Sequence, residues 1–159
     1  MSTPPDAPFT VHRLRDDADW EAARAIRERV FVEEQACPPE EEWDEHDAPE
    51  ARGATCVHLL GFVDETPVAA ARWHEAEVEG APAAKLERFA VLPAWRGHGL
   101  GRALVAAALD DAAAAGHTRF VLHAQAHLQG LYGAFGFRPV GAPFWEAGIE
   151  HVKMVRTPL

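Results

Sequence analysis

The spacing of hydrophobic and polar residues divides the chain into strand-like and helix-like segments. Short runs rich in β-branched and aromatic residues predict strands at residues 9–14, 54–63, 68–73, 86–92, 119–124, 137–140 and 149–155. Apolar residues at three- and four-residue steps predict three helices. The first begins at one of Asp16, Asp17 and Asp19, which can cap it, and ends at about Glu34. The other two cover residues 99–116 and 128–135.

The order of these elements is mixed rather than strictly alternating, which predicts an α/β fold. We expect a largely antiparallel sheet with one parallel pair around the central helix, and helices on both faces. A chain of 159 residues predicts one domain spanning 1–159. Its proline-rich residues 1–8 are expected to be disordered.

The composition narrows the class of partner. A net charge of −10 argues against nucleic acid, whose recognition needs a basic face. No apolar run reaches the length of a membrane helix, and the N-terminus lacks the basic and apolar regions of a signal peptide. Cys37 and Cys56 have neither metal nor redox spacing. We therefore expect a cytoplasmic protein with no membrane or nucleic-acid partner, either a monomer or a homodimer.

The junction between the central strand and its helix has the composition of an anion site. No proline lies between Trp95 and Arg102, so each backbone N–H can donate, and the first turn of a helix leaves about four such donors unpaired. Arg96 and Arg102 add positive charge where the helix dipole also favours an anion. Three residues without a Cβ let a ligand approach the main chain: Gly97, Gly99 and Gly101. The sequence therefore predicts a pyrophosphate cradle.

Two common nucleotide motifs do not fit this junction. A dinucleotide fingerprint, G-x-G-x-x-G, would need a third glycine where Arg102 or Leu104 stands, and no acidic ribose ligand follows at the expected distance. A phosphate-binding loop ends in Gly-Lys-Ser/Thr, and the chain contains no Gly-Lys pair. Both nucleotide interpretations therefore fail at specific residues.

The pattern R/Q-x-x-G-x-G/A does fit, at residues 96–101, after the strand phrase Phe89-Ala90-Val91. It resembles the acetyl-coenzyme A motif of the GNAT superfamily of acyltransferases. Residues 29–35, 123–125, 132–137 and 146–151 also resemble a bacterial subfamily of small GNAT proteins. The resemblance implies a GNAT-like three-layer α/β/α sandwich around a mixed, largely antiparallel sheet of six to seven strands, with a splayed central parallel pair.

The same resemblance implies acetyl-CoA as co-substrate, and direct transfer of its acetyl group to a primary amine of a small molecule or peptide. It also implies that coenzyme A is bound by Phe89, Ala90, Val91, Arg96, Gly97, His98, Gly99, Leu100, Gly101 and Arg102. Backbone N–H groups near Phe89 and Val91 would contact the acetyl carbonyl. The residues expected at the acceptor are Phe31, Glu34 and Gln125. No metal is expected, because the nine histidines are scattered without ligand spacing.

Direct transfer requires a neutral amine, a stabilised oxyanion and a proton for the departing thiolate. The resemblance makes Tyr132, the only tyrosine, the expected general acid, and a phenol is protonated at pH 7. Strand alternation would place Glu87 on the face of Phe89, which makes Glu87 the preferred general base. An ordinary salt-bridging role for Glu87 stays open, and His123 and His127 are weaker candidates.

Two questions stay open at the level of sequence. The acidic run at residues 40–47 is either a solvated face or one wall of an amine site that favours a cationic acceptor. In place of an acetyltransferase, the chain could be a non-catalytic acyl-CoA-binding sensor or an acyltransferase for a longer acyl chain.

Overall fold

The structure, a computed structural model, describes residues 8–158. The expectation of disorder at residues 1–8 therefore falls, except for Pro8, outside the described residues. The strands are β1 (Phe9–Arg13), β2 (Cys56–Val63), β3 (Thr66–Val78), β4 (Ala81–Val91), β5 (Phe120–Gln125), β6 (Arg138–Glu146) and β7 (Ile149–Arg156). They form one seven-stranded sheet in the order β1-β2-β3-β4-β5-β7-β6. Only β4 and β5 pair in parallel, so the described sheet is mixed and largely antiparallel, as predicted.

The helices are α1 (Asp17–Arg27), α2 (Pro39–Glu42), α3 (Leu100–Ala114) and α4 (Gln129–Gly133). The Asp16 side chain caps α1 by accepting a hydrogen bond from the Asp19 N–H at 2.8 Å. A π-helical segment, Glu28–Glu34, continues α1, so the predicted end near Glu34 is confirmed although the last turns are wider than an α-helix. Within residues 8–158, no helix has both the length and the apolar character needed to cross a bilayer.

Helices cover both faces of the sheet, which gives three layers. On one face, Ile26 of α1 packs in a buried cluster with Leu60 of β2. On the other face, Val105 of α3 packs in a cluster with Leu59, the adjacent residue of β2. Successive side chains of a strand point to opposite faces, so the two leucines mark the two cores. This arrangement confirms the predicted layering.

Three strands are longer than the hydrophobic pattern predicts. β3 continues to Val78 and β4 begins at Ala81, so the predicted loop is a tight hairpin turn with positive φ at Glu79 and Gly80. β6 continues past Val140 through an irregular pairing with β7. The pattern misses these extensions because most of their residues are small or exposed, and exposed residues do not alternate in hydrophobicity.

Candidate active site

The parallel strands β4 and β5 separate soon after they meet. Only Ala84 pairs with Phe120 and Lys85 with Val121. Beyond these pairs the strands share no ladder, although β4 continues to Val91 and β5 to Gln125. A gap therefore opens in the middle of the sheet, as predicted, and main-chain groups along this edge of β4 are not used by β5.

A bulge in β4 changes which side chains lie on each face. Arg88 and Phe89 together oppose a single residue of β3, Ala71. Arg88 has a φ of 61°, a left-handed conformation that is uncommon for a residue with a side chain. As a result, Phe89 packs in the core beneath α3, whereas Glu87 contacts Arg72 on the face covered by α1. The simple alternation that put Glu87 and Phe89 on one face is therefore wrong.

A cavity of about 450 Å³, here called the loop cavity, extends from the loop after β4 to the gap. Gly97 and Gly99, with φ of 86° and 80°, line it. A Cβ on either glycine would meet no atom within 4 Å, so the space before the main chain is open. Within the described chain, the N–H groups of residues 99–102 have no backbone carbonyl partner. These donors and this open space fit an anion of the size of a diphosphate.

Arg96 lies at the open side of the loop cavity. Its guanidinium donates to both carboxylate oxygens of Glu34, with N–O distances of 2.6 and 2.7 Å, and its Nε donates to the Val91 carbonyl at 2.9 Å. The hydrogen bonds from Arg96 lower the pKa of Glu34 below its ordinary value. Glu34 lines the loop cavity with Arg96 and does not line the cavity on the other side of the gap.

That other cavity, here called the strand cavity, has a volume of about 340 Å³ and is lined by parts of β4, β5, β6 and β7. Phe31 and Gln125, two of the residues expected at the acceptor, line both cavities. The Gln125 amide donates to Gln35 Oε1 at 3.0 Å. The residues common to both cavities are Phe31, Gln35, Phe89, Gln125, Leu128 and Tyr132. Groups that enter from the two sides would therefore meet at the gap.

Tyr132 lies where the two cavities join. Its side chain packs in the core near Phe89 and Phe137, with ring centroids 6.1 and 6.3 Å away, and the residue is 6% exposed. Burial raises the pKa of Tyr132 to about 12, so the hydroxyl keeps its proton at neutral pH. Among residues 8–158, no hydrogen-bond partner of this hydroxyl is found, which leaves its proton free for a ligand.

Glu87 lines the strand cavity but is held by cations. Its Oε1 lies 2.7 Å from Arg72 Nη2 and 3.1 Å from His74 Nε2, and Oε2 lies 3.7 Å from Lys85 Nζ. Burial alone would raise the pKa of Glu87, but the His74 hydrogen bond and the charges of Arg72, Arg88 and Lys85 hold it well below its usual range. A carboxylate with so low a pKa is a weak proton acceptor, so the geometry favours the salt-bridging role.

Three carboxylates of the acidic run, those of Glu42, Asp44 and Asp47, turn inward. Arg27 donates to Glu42 at 2.8 Å and to Asp47 at 2.6 Å, and Arg72 donates to Asp44 at 2.7 Å and to Asp47 at 2.8 Å. Burial alone would raise the pKa of Asp47, but the two arginines lower it to about 2. These three carboxylates are therefore neither a solvated face nor free charges for a cationic acceptor, whereas Glu40, Glu41 and Glu45 are exposed and Glu41 lines the strand cavity. The three inward carboxylates form a buried ion-pair network that joins α1 to β3.

Several residues that line the two cavities were given no role by the sequence or by the family resemblance. The strand cavity includes Glu146 and His151, and the loop cavity includes Leu131. Conversely, three residues predicted to bind coenzyme A line neither cavity: Ala90, His98 and Arg102. In the part of the chain that the structure describes, no cluster of three or more His, Cys, Asp or Glu residues could hold a metal ion.

A splayed mixed sheet with unpaired N–H groups at the head of α3 is the architecture that the sequence motif implied for an acyltransferase. Comparison with known families agrees, since the profile described as "Acetyltransferase (GNAT) domain" matches residues 31–158. The chain belongs to this family. A Bacillus subtilis protein with a provisional acetyltransferase name is 35% identical over 93% of this chain and 96% of its own length. Protein ElaA of Escherichia coli is 35% identical over 82% of each chain.

Solved structures show the same fold. The Escherichia coli ElaA crystal structure superposes with a TM-score of 0.79 at 29% identity, and covers 94% of this chain and 99% of its own. An acyl-CoA N-acyltransferase from Pseudomonas aeruginosa gives a TM-score of 0.78 at 32% identity, with the same coverage of 94% and 99%. Escherichia coli YhbS, which was solved in complex with CoA, is 23% identical with a TM-score of 0.73, over 98% of this chain and 84% of its own.

Proposed function

We propose that the protein is an acetyl-CoA-dependent N-acetyltransferase that moves the acetyl group directly from the thioester to a primary amine. The observation that carries the proposal is the meeting of the loop cavity and the strand cavity at the gap beside Tyr132. A donor and an acceptor that each occupied one cavity would bring their reacting groups together there, without a covalent enzyme intermediate.

The loop cavity is the proposed donor site. The N–H groups of residues 99–102 and the positive end of α3 would hold the diphosphate of acetyl-CoA. The edge of β4 that β5 leaves unpaired would donate to the pantetheine arm and to the acetyl carbonyl near Phe89 and Val91. The Escherichia coli YhbS complex with CoA supports a donor of this chemical class.

Tyr132 is the proposed general acid. When a neutral amine attacks the acetyl carbon, the C–N bond forms, the C–S bond breaks, and the sulfur leaves with the electron pair. A phenol whose pKa is raised to about 12 holds its proton until the thiolate develops beside it. The proton then passes from the Tyr132 hydroxyl to the sulfur, which yields free coenzyme A.

The donor site is tested by matched glycine variants. Gly99 and Gly53 both have a φ of 80° and open space where a Cβ would stand, but only Gly99 lines the loop cavity. Gly99→Ala should weaken the calorimetric affinity for acetyl-CoA about tenfold or more, because the methyl group would occupy the approach to the N–H groups. Gly53→Ala should show a similar backbone strain in stability and an unchanged affinity. Equal affinities for the two variants would contradict the assignment.

The reaction is tested by thiol release from acetyl-CoA with spermidine, glucosamine, tyramine and an N-terminal peptide amine. Release of coenzyme A with a matching acetylated amine is the expected result. Tight acetyl-CoA binding with no release for any amine would favour the non-catalytic sensor. Faster release from butyryl- or octanoyl-CoA than from acetyl-CoA would favour the longer-chain acyltransferase.

A further inference from the structure

A histidine and a carboxylate face each other in the strand cavity. His123 Nδ1 of β5 lies 3.1 Å from Glu146 Oε2 of β6, and both residues line the cavity. An ionised carboxylate only accepts hydrogen bonds, so the short contact requires a proton on Nδ1. In the neutral ring, Nε2 then carries the lone pair. Within residues 8–158, Nε2 makes no hydrogen bond to another residue.

The two residues belong to strands that both pair with β7, and their partners on β7 are four residues apart. β7 lies between β5 and β6, with His123 paired to Lys153 and Glu146 paired to Ile149. The Phe144 ring packs edge-on against the His123 imidazole with centroids 5.0 Å apart, which restricts rotation of the imidazole. The His123 side chain is 30% exposed, so the ring is both held and open to the cavity.

We propose that His123 is the general base that takes the proton from the attacking amine, and that Glu146 is a positioning residue that fixes the tautomer and orientation of His123. The inference rests on the proposed function, because it concerns the acceptor side of the same reaction. His123 is a better base than Glu87 in geometry, since Glu87 is surrounded by cations whereas His123 presents an unpaired nitrogen to the cavity.

His123 and Tyr132 together balance the protons of the reaction. The amine sheds its ammonium proton to water before the attack. As the C–N bond forms, the nitrogen loses a second proton to His123 Nε2, while the C–S bond breaks and the sulfur takes the Tyr132 proton. Solvent then carries a proton from the His123 imidazolium to the Tyr132 phenolate. The net reaction converts the neutral amine and acetyl-CoA into the amide and coenzyme A, with the enzyme unchanged.

Other charged groups surround the contact between His123 and Glu146. The strand cavity is also lined by Glu41, Glu42, Glu87 and Arg88. Lys85 is near enough to lower the pKa of Glu146, and His151 and Lys153 belong to β7. His151 Nδ1 donates to the Ile149 carbonyl at 2.7 Å, so this histidine already has a partner on its own strand. Glu146 is the carboxylate in direct contact with the ring, and the hydrogen bond with His123 lowers the pKa of Glu146. Glu146 therefore stabilises the imidazolium as it forms.

The first test compares His123→Gln and Glu146→Gln with Glu75→Gln. Glu75 makes an equivalent contact with His117 at 3.0 Å on the surface, outside both cavities, so Glu75→Gln is a matched control for loss of a histidine–carboxylate pair. With acetyl-CoA and the fastest amine of the screen, His123→Gln should lower kcat a hundredfold or more. It should also remove the acidic limb of the pH–rate profile, which is the fall in rate at low pH where the base is protonated. Glu146→Gln should lower kcat about tenfold and move that limb to lower pH. Glu75→Gln should match the wild type.

Retention of wild-type kcat and of the acidic limb by His123→Gln would overturn the inference. A lower kcat with an unchanged limb would do the same, because it would indicate a structural role. Calorimetry with acetyl-CoA on each variant separates these outcomes from a damaged donor site, since the affinity should stay within about twofold of the wild type.

A second test does not depend on turnover. Nitrogen-15 NMR of the full chain reports which ring nitrogen of each histidine carries the proton. The expected result for His123 is a protonated Nδ1 and a bare Nε2 above the titration range, with a loss of this preference in Glu146→Gln. A protonated Nε2 in the wild type would overturn the inference. Absence of coenzyme A release by the wild type would refute the proposed function, whereas the tautomer would still report on the pair.

Discussion

The Arg96 guanidinium and the Glu34 carboxylate form a two-pronged ion pair at the open side of the loop cavity, with N–O distances of 2.6 and 2.7 Å. Arg96 is the first residue of the glycine-rich motif, and Glu34 ends the π-helical continuation of α1. A diphosphate that approached the loop would therefore meet an arginine already occupied by a carboxylate. The anion and Glu34 would compete for the same guanidinium.

Removal of the competing charge should strengthen donor binding. Glu34→Gln is expected to raise the affinity for coenzyme A about three- to tenfold at low salt, and Arg96→Gln to lower it about tenfold. Glu33→Gln, at the exposed neighbouring carboxylate, is the control and should change the affinity less than twofold. Calorimetry at two salt concentrations checks the expectation. Weaker binding by Glu34→Gln would mean that Glu34 orients Arg96 for the donor instead of competing with it.

The hydroxyl of Tyr132 should matter for turnover and not for donor affinity. Tyr132→Phe keeps the buried ring and removes only the hydroxyl group, so stability and acetyl-CoA affinity should stay close to those of the wild type. We expect kcat to fall ten- to a thousandfold, in line with the loss of a general acid. Steady-state kinetics with the best amine measures the change. Undiminished kcat would remove Tyr132 from the mechanism.

Arg72 should be important for stability, because it is 1% exposed and binds Asp44, Asp47 and Glu87. Arg72→Met removes a buried cation that three carboxylates share, and breaking a buried ion pair typically costs about 3–5 kcal/mol in the free energy of unfolding. Urea unfolding measures the loss. Arg24→Met, at an exposed arginine paired only loosely with Glu21 and Glu28, should change the stability by about 0.5 kcal/mol or less. Similar losses in the two variants would contradict the network.

Glu87→Gln should affect stability if Glu87 belongs to the ion-pair network, and the pH dependence of the rate if Glu87 is the general base. If the network role holds, Glu87→Gln should reduce the free energy of unfolding by about 3 kcal/mol, because Arg72 loses a buried partner. The acidic limb of the pH–rate profile should persist in this variant. Kinetics at temperatures well below unfolding separate the two effects. Disappearance of the limb in Glu87→Gln, together with its persistence in His123→Gln, would restore Glu87 as the base.

His58 should make stability fall in mild acid. Burial lowers the pKa of His58 from 6.5 to about 4, so between these pH values the unfolded chain binds a proton that the native state does not. The native state therefore loses stability as the pH falls from 6.5 toward 4, by up to roughly 3 kcal/mol at about 1.4 kcal/mol per pH unit. Urea unfolding across this range measures the slope.

The variant His58→Gln isolates this contribution. Its amide can still donate to the His46 carbonyl, which His58 Nε2 contacts at 2.8 Å, but it does not titrate. Its stability should therefore vary less with pH than that of the wild type. His74 acts with the opposite sign: burial alone would lower its pKa, but Glu87 raises it, and its contribution is lost as the pH rises. An equal slope in both proteins would show that His58 does not dominate the acid response.

The sequence was sufficient for features that depend on local chemistry. The residue order predicts the glycines at positive φ, the end of β4 before Pro93 and the apolar stripe of α3. The structure has each of these features. The splayed pair followed from the family resemblance. These features are set by short-range geometry or by a motif, so one sequence was enough.

The remaining features depend on contacts between distant segments. The bulge at Arg88 has no glycine to reveal it, and one extra residue reverses the faces of every later side chain in β4. The inward turn of part of the acidic run has no local signal, because the arginine partners of Glu42 and Asp47 lie in α1 and β3. The contact between His123 and Glu146 joins two strands that are separated by β7. No local pattern encodes such a pairing.

Ladder hydrogen bonds join β4 and β5 only near Ala84 and Lys85, so the sheet consists of two halves that are weakly connected across the gap. A molecule bound in the gap would contact both halves of the sheet and connect them where the backbone provides few hydrogen bonds. Occupancy should then slow amide hydrogen exchange in β5 and in its neighbour β7, well beyond the atoms that the molecule touches. Rigidity of the whole sheet would in that case be a property of the loaded protein.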